Sequence, residues 1–279
     1  MNALSFDAAE ALRLQDEFGR VEAEFNTVLD QSLAPRAPDF LYDLVAELGL
    51  GPDSQAVDVG SGEGRHTVQL ARRFGFHVVG VEPLERHLEI ARQAADAERG
   101  IAELVRFVAG TAERIPLADA WADVVWCRDV LPLVLDVPLV FEEIRRVLKP
   151  GGYAVVYSMC VTDALGEREA EFLLPSLACI RESMEPSAIE AAVDAAGLTV
   201  RQNHVLGSEW GEYGQEHTGR GATKLIRGAR LLRDPARYIA QFGEHNYRIA
   251  LADNLWHVYR LIGKLSDRVY VLSRPTTGV

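Results

Sequence analysis

Ala56-Val57-Asp58-Val59-Gly60-Ser61-Gly62-Glu63-Gly64 is the stretch that decides the fold, because a short apolar run passes directly into three closely spaced glycines. Glycines suit a sharp turn that needs positive φ, and they let a ligand touch the bare backbone. After the turn, Thr67, Leu70, Ala71 and Phe74 lie at i, i+3, i+4 and i+7, which is the spacing of one helix face. The stretch therefore predicts a buried strand, a glycine turn and a helix.

The same alternation of strand and helix continues along the chain. Further strands are predicted at His77–Val81, Leu104–Val108, Asp123–Cys127, Tyr153–Tyr157, Thr199–Leu206 and Arg268–Leu272, with helical periodicity between most of them. Apolar strands that alternate with helices indicate a parallel sheet covered on both faces. The predicted fold is α/β: a doubly wound, mostly parallel, Rossmann-like sheet, with a helical cap from the N-terminus and a late insertion.

The periodicity divides the chain into four segments. We predict an N-terminal helical cap or lid over residues 1–50, an α/β core over 51–210, a helical insertion over 211–264, and a last core strand and tail over 265–279. Phe6, Phe18 and Phe25 of the first segment either close a pocket as a lid or form the packing face of their helix.

Composition narrows the class of protein. The chain of 279 residues is 48% hydrophobic and 25% charged, as expected of a globular protein, and its net charge of −12 disfavours a nucleic-acid partner. It has no apolar run of about 18 residues, which argues against a membrane span, and its acidic first twenty residues do not resemble a signal peptide. Cys127, Cys160 and Cys179 lack metal-type spacing, so a reducing, cytoplasmic location is expected. Nothing in the sequence indicates an oligomer.

The glycine turn predicts a nucleoside site. A helix N-terminus offers free N–H groups, and Glu82, at the end of the second strand, can accept hydrogen bonds from ribose hydroxyls. A dinucleotide fingerprint would need glycine or alanine at position 65, where this chain has Arg65; its third glycine, Gly64, comes one residue early. The acidic Asp58 favours a nucleoside with an amino-acid tail, so a nicotinamide-dependent oxidoreductase is the second choice.

The motif at residues 56–64 resembles the first motif of class I S-adenosylmethionine-dependent methyltransferases. More specifically, it is similar to the branch that contains ubiquinone/menaquinone-pathway and natural-product methyltransferases. Three further segments resemble the family: Val81-Glu82-Pro83, the loop that starts at Gly110, and the run from Ile144 to Gly152. The resemblance covers about residues 45–205 and implies a small-molecule acceptor of unspecified identity.

The resemblance also implies which residues hold S-adenosylmethionine and its product S-adenosylhomocysteine. Backbone near Gly60–Gly62 would hold the methionine part, Glu82 the ribose and the Ala112 N–H the adenine. Thr111 stands where the family commonly has Asp. Either the Thr111 hydroxyl or Glu113 would then accept a hydrogen bond from the adenine amino group. The full expected set is Asp58, Gly60, Ser61, Gly62, Gly64, Glu82, Pro83, Thr111, Ala112, Glu113, Cys127 and Arg128.

Residues after the fourth and fifth strands would face the acceptor, because ligands lie at the carboxyl ends of such strands. Related enzymes often carry a His soon after the fourth strand, where this chain has Pro132 and Leu133. Asp129 is therefore the first candidate for a general base, although a helix cap or a partner for Arg128 would also explain it. His217 is the second candidate.

Two further candidates belong to the acceptor side. His204 is an alternative base, and Asp163 could join Asp129 around a divalent ion, but two distant carboxylates do not make a metal site, and none is predicted. If neither base is used, alignment of donor and acceptor is the main catalytic device.

The predicted insertion carries a basic stripe in an acidic chain, formed by Arg220, Lys224, Arg227, Arg230, Arg233 and Arg237. The stripe is either a solvated helix face or a wall that attracts an anionic acceptor. The sequence thus predicts transfer of a methyl group to a small molecule, with an anionic metabolite or natural product as one acceptor class. A non-catalytic S-adenosylmethionine-binding regulator is the other alternative.

Overall fold

The computed structural model describes residues 7–98 and 100–276. The predictions for residues 1–6, Phe6 among them, and for the end of the tail at 277–279 lie outside the described residues. The chain divides into two compact units, and the boundary falls between Pro35 and Arg36.

The first unit contains one long helix, α1 (Ala8–Leu29). The Asp7 carboxylate caps it by accepting the Glu10 N–H at 2.8 Å, which satisfies one of the donors that a helix start leaves free. No residue of α1 is buried, and Phe18 and Phe25 are more than half exposed. The predicted amphipathic helix is present; its role as a lid remains a prediction.

The second unit contains a seven-stranded sheet of order β3-β2-β1-β4-β5-β7-β6. Its strands are β1 (Gln55–Val59), β2 (His77–Glu82), β3 (Val105–Ala109), β4 (Ala122–Arg128), β5 (Leu148–Val161), β6 (Thr199–Gly207) and β7 (Leu265–Ser273). The first five run parallel, whereas β7 pairs antiparallel with both β5 and β6. The doubly wound, mostly parallel, Rossmann-like sheet is confirmed.

Ten helices of this unit cover the sheet or form the late insertion. They are α2 (Phe40–Glu47), α3 (Arg65–Phe74), α4 (Glu85–Asp96), α5 (Val137–Val147), α6 (Glu167–Ser176), α7 (Pro186–Ala195), α8 (Glu209–Thr218), α9 (Arg220–Arg233), α10 (Pro235–Phe242) and α11 (Glu244–Leu261). Sequence periodicity did not predict α6, which contains Pro175 in its last turn. No helix within residues 7–98 and 100–276 is long and apolar enough to cross a membrane.

Helix α2 belongs to the core rather than to a separate cap. Leu41, Tyr42, Leu44 and Val45 are buried and join the apolar cluster around Trp126 of β4. The apolar side chains of α2 pack against the sheet. The surface that this packing buries stabilises the helix far more than eight residues of isolated helix could. The division between the two compact units falls after Pro35, and α2 belongs to the unit that contains the sheet; the cap over residues 1–50 remains a prediction.

The insertion between β6 and β7 consists of α8 to α11, which begin at Glu209 and end at Leu261, close to the predicted 211–264. Two glycines allow its helices to approach one another. A Cβ at Gly211 or Gly221 would lie within 3 Å of the Leu261 side chain. Because β7 runs antiparallel, its first residues lie at the edge of the sheet where β4 and β5 end: Arg128 is level with Tyr157, and Met159 with Asp267.

Candidate functional site

The glycine turn joins β1 to α3 and is held against β2. The Gly60 and Ser61 N–H groups donate to the Val81 carbonyl at 2.8 and 3.0 Å. Gly60, Gly62 and Gly64 have φ of +71°, +51° and +80°, a region that other residues enter only at a cost. A Cβ at Gly64 would overlap Phe107 and Ala91, whereas a Cβ at Gly62 would meet nothing within 4 Å.

Gly64 therefore serves the close helix–sheet contact that the third glycine of a dinucleotide turn provides one residue later. Arg65 begins α3 and is exposed, so nothing crowds that position. Gly62, by contrast, faces open space. The buried Ser61 Oγ also has no hydrogen-bond partner within residues 7–98 and 100–276, and buried polar atoms of this kind usually await water or a ligand.

Glu82 lies at the end of β2 and is almost fully buried. Its Oε2 accepts the Gly62 N–H at 3.0 Å, and its Oε1 accepts the Leu84 N–H at 3.2 Å and lies 3.1 Å from His87 Nδ1. The two N–H groups use two of the roughly four acceptor sites of a carboxylate, so Glu82 fixes the glycine turn and, with His87 in the tautomer that bears its hydrogen on Nε2, can still accept two ligand hydroxyls.

Asp58 is the buried carboxyl of the motif. It accepts the Thr67 hydroxyl at 2.6 Å, and α3 and β1 are thereby tied together. Burial raises the pKa of Asp58 to about 7, while the Thr67 hydrogen bond and the Arg128 charge oppose that rise. A cationic group nearby would return this carboxyl to its ionised form.

The loop after β3 carries the residues predicted to contact adenine. Thr111 and Arg114 form an isolated antiparallel bridge through their backbones, which makes a tight turn. Ala112 is buried inside this turn, Glu113 is half-buried, and the Thr111 side chain is exposed. The loop also lines a cavity of about 610 Å³ with Glu143 and Arg146.

Two residues of the predicted cofactor set, Cys127 in β4 and Pro83 after β2, differ sharply in exposure. Cys127 lies in the apolar core, and this burial raises the pKa of its thiol. Because the side chain has no exposed surface, it cannot contact a ligand. Only its backbone remains available for the predicted cofactor role. Pro83, which follows Glu82, is exposed.

Arg128 lies at the centre of the site, and its partners were not predicted from the sequence. Its Nη1 lies 2.7 Å from His66 Nε2, and the His66 Nδ1 lies 2.6 Å from the Tyr42 hydroxyl. Burial and the Arg128 charge lower the pKa of His66 to about 3, so the ring is neutral and can accept the guanidinium hydrogen bond. Arg128 Nε is buried and has no hydrogen-bond partner within the described ranges.

Asp129 follows Arg128 with φ of +58°, a conformation that costs a non-glycine residue free energy and often marks functional sites. Its Oδ2 lies 3.9 Å from Arg128 Nε, and about half of its side-chain surface is accessible. Desolvation by the surrounding protein nevertheless raises the pKa of Asp129 to about 6; the Arg128 charge opposes this rise, the Asp267 charge adds to it, and Arg260 opposes it. No helix begins at Asp129, so the alternative of a helix cap does not apply.

Within residues 7–98 and 100–276, the other predicted acceptor-side groups form no hydrogen bond or ion pair with Arg128. The exposed His217 ring stacks on Tyr213 at 3.9 Å, and its Nδ1 lies 2.9 Å from the Tyr213 carbonyl of its own helix. His204 packs edge-on against Phe40. Asp163 is exposed after β5, and the charges that act on Asp129 come from other residues.

A cavity of about 250 Å³ adjoins Arg128 and lies under the insertion. Its principal side chains are Arg128, Trp210, Tyr213, Arg220, His257 and Arg260. We call it the arginine cavity. Arg260 is paired with the buried Asp267, which also accepts the Tyr157 hydroxyl. Asp267 is not part of the cavity wall, and no other described carboxylate lines it. His257 is uncharged at neutral pH because burial and the Lys224 and Arg220 charges lower its pKa to about 4.

The basic stripe is divided among different surroundings, so it is not one wall. Arg220 lines the arginine cavity, whereas Lys224 pairs with Asp253. Arg227 and Arg230 line another groove on the insertion. As the proline at position 235 predicts, α9 ends before Arg237, which lies on α10.

Parts of this chain are similar to proteins that are already known. A family model described as a methyltransferase domain matches residues 57–156. The biotin biosynthesis bifunctional protein BioHC of Cellvibrio japonicus is 28% identical over 197 residues, which cover 68% of this chain and 36% of that protein. A sarcosine/dimethylglycine N-methyltransferase of Halorhodospira halochloris is 36% identical over 103 residues, 37% of each chain. The chain thus spans about a third of the length of these curated relatives.

Solved structures show the same fold. A geranyl diphosphate C-methyltransferase from Streptomyces coelicolor A3(2), in complex with S-adenosyl-L-homocysteine, superposes with a TM-score of 0.61 at 20% identity, over 84% of this chain and 78% of that one. The [4+2]-cyclase SpnF superposes with a TM-score of 0.66 at 22% identity, over 86% and 82%. Together with the motifs at Gly60–Gly64 and Glu82, these matches show that the chain contains a class I S-adenosylmethionine-dependent methyltransferase domain.

Proposed function

We propose that this chain transfers the methyl group of S-adenosylmethionine to a small anionic acceptor held in the arginine cavity. The observation that carries the acceptor class is the wall of that cavity. Of the residues that the structure describes, three contribute guanidinium groups to this wall and none contributes a carboxylate, in a chain whose net charge is −12.

The glycine turn fits the donor. Open space at Gly62 and the unpartnered Ser61 Oγ leave room and a polar contact for the methionine part. Glu82 keeps acceptor capacity for ribose hydroxyls, and the Asp58 carboxyl would be ionised by a nearby ammonium. The remaining proposed contacts are those of Gly60, Gly64, Pro83, Thr111, Ala112, Glu113, Arg128 and the Cys127 backbone.

The arginine cavity is suited to a small anion. Its volume of about 250 Å³ is slightly below the usual range for ligand pockets, roughly 300–1,000 Å³, so it favours a compact metabolite. Arg220 has no carboxylate partner among the described residues, and Arg128 Nε, 3.9 Å from Asp129 Oδ2, donates no hydrogen bond to any of them. Guanidinium groups bind carboxylate and phosphate through paired N–H donors, so these two are the proposed acceptor ligands.

The chemistry required of the protein is modest. When bound, S-adenosylmethionine supplies an electrophilic methyl group on a sulfonium. Arg128 and Arg220 would fix the orientation of the acceptor, and alignment alone can supply much of the acceleration. An acceptor that loses a proton would deliver it to Asp129, whose pKa near 6 leaves the carboxylate mostly ionised at neutral pH.

A labelled-methyl assay tests this proposal. The chain is incubated with methyl-labelled S-adenosylmethionine and a library of small carboxylates and phosphates, each paired with its neutral amide or alcohol analogue. We expect label in the anions and little in their neutral partners. Transfer to the neutral partners at equal rates would contradict the acceptor class. Binding of S-adenosylhomocysteine without any transfer would favour the non-catalytic regulator.

A further inference from the structure

A second concave site lies on the insertion, in a groove formed by α9, α10 and α11. Its volume is about 780 Å³, and Leu231, Tyr238, Phe242 and Tyr247 form its largely apolar walls. We call it the insertion groove. It shares no lining residue with the arginine cavity, and the Lys224–Asp253 ion pair joins α9 to α11 between the two sites.

Two cations border the insertion groove without partners. Arg227 and Arg230 both line it and are exposed. Neither forms an ion pair within residues 7–98 and 100–276, whereas Lys224 on the same helix is paired. Unpaired guanidinium groups beside an apolar wall favour a ligand that has a negative group on an apolar body.

A buried amide gives the groove a third feature. Asn254 of α11 lines the groove and is 7% exposed. Its Nδ2 donates to the Ala250 carbonyl at 2.6 Å, but its Oδ1 is buried and accepts no hydrogen bond from any described residue. Leaving such an acceptor unpaired costs free energy, and a ligand N–H or O–H would recover that cost.

We propose that the insertion groove binds an amphipathic organic anion, with an aromatic or alkyl body against Tyr238 and Phe242. Its negative group lies at Arg227 and Arg230, and a donor of the ligand reaches Asn254 Oδ1. The volume is in the range of drug-sized ligands. This inference is independent of the methyl-transfer proposal, because it assigns a ligand to a site that shares no residue with the arginine cavity.

A matched pair of fluorescent probes tests the charge requirement. 8-Anilinonaphthalene-1-sulfonate has an apolar body, an N–H donor and a sulfonate, and N-phenyl-1-naphthylamine is the same body and donor without the charge. Both are titrated into the intact chain under native conditions, with saturation and stoichiometry measured. We expect the sulfonate to bind one per chain, at least tenfold more tightly than the neutral probe.

Variants then locate the site. Arg227→Gln with Arg230→Gln should weaken sulfonate binding at least tenfold and leave the neutral probe unchanged. Arg233→Gln, an exposed change on the same helix outside both concave sites, is the matched control and should change neither affinity. Asn254→Leu should weaken both probes severalfold because both lose their acceptor, while its melting temperature without probe should not fall.

Three binding results would overturn the proposal. They are equal binding of the two probes, equal sulfonate affinity in the double arginine variant and the Arg233→Gln control, and a stoichiometry above one that persists in the double variant. A concentration-dependent dimer in sedimentation velocity that the double variant abolishes would also overturn it, because the groove would then be an interface between two copies of the chain. The exposed arginine changes do not disturb the core, so the test does not depend on the folding of Asn254→Leu.

Discussion

Replacing Glu82 by Gln removes one charge from the site and retains its shape. Glu82 accepts the Gly62 and Leu84 N–H groups and is proposed to accept two ribose hydroxyls. Hydrogen bonds to a charged acceptor contribute about 1.5–3 kcal/mol and neutral ones about 0.5–1.5 kcal/mol. Two weakened ribose contacts should therefore cost about 2–3 kcal/mol of binding free energy, or roughly 30- to 150-fold in the Kd of S-adenosylhomocysteine.

The same substitution affects the fold to a smaller extent. The glutamine amide can accept only one of the two backbone N–H groups with its oxygen, so about 1–2 kcal/mol of unfolding free energy should also be lost. Titration calorimetry with S-adenosylhomocysteine, well below the melting temperature of the variant, separates the two effects. Urea unfolding measures the second one directly.

Glu85→Gln is the matched control. Glu85 lies three residues away, is exposed and pairs with Arg92 at 2.7 Å, and exposed ion pairs contribute little. Its affinity for S-adenosylhomocysteine should equal that of the natural chain. A Glu82→Gln variant that also keeps the natural affinity, with its fold intact, would refute the placement of the ribose at the end of β2.

The remaining predictions concern the acceptor side and acid stability. If Asp129 is the base, Asp129→Asn should lower turnover by about 10²–10⁴ and flatten the acid limb of the pH–rate profile near pH 6, with donor affinity unchanged; a retained rate and profile would leave alignment as the catalytic device. Arg220→Gln should raise the KM for an anionic acceptor at least tenfold where Arg233→Gln does not, and similar KM values in both would remove Arg220 from the acceptor site. The pKa of His66 is lowered in the folded state from 6.5 to about 3, so its contribution to stability is complete above pH 6.5 and is lost as the pH falls. Between pH 7 and 5 the natural chain should lose about 2 kcal/mol more unfolding free energy than His66→Gln, as urea unfolding would show; equal losses would mean that His66 is not buried neutral.

The sheet could be predicted from the sequence because its strands have strong local signals. Apolar runs such as Ala56–Val59 and glycines at fixed positions specify both the strand and the turn that follows it. The antiparallel β7 and the burial of α2 were less accessible. Both depend on which elements meet after folding, and the short α2 has no periodicity long enough to distinguish a core helix from a cap.

The residues proposed for the donor side have local sequence signals and those that line the arginine cavity do not, for a physical reason. The Gly60–Gly64 turn and Glu82 are local signals within one βαβ unit. The arginine cavity joins Arg128 to Trp210, His257 and Arg260 of the insertion, and no spacing in the sequence records that meeting. The available signal for His66 was its position two residues after Gly64, which places it in the first turn of the helix beside the site.

The central claim is that the Gly60–Gly64 turn and Glu82 bind S-adenosylmethionine. Hydrogen–deuterium exchange of the intact chain, with and without S-adenosylhomocysteine, tests it most directly because it reports both binding and location. We predict slowed exchange at residues 58–64 and 81–84, and no change when NADH is added instead. Protection by NADH at the same residues, or protection by S-adenosylhomocysteine confined to the insertion, would contradict the account.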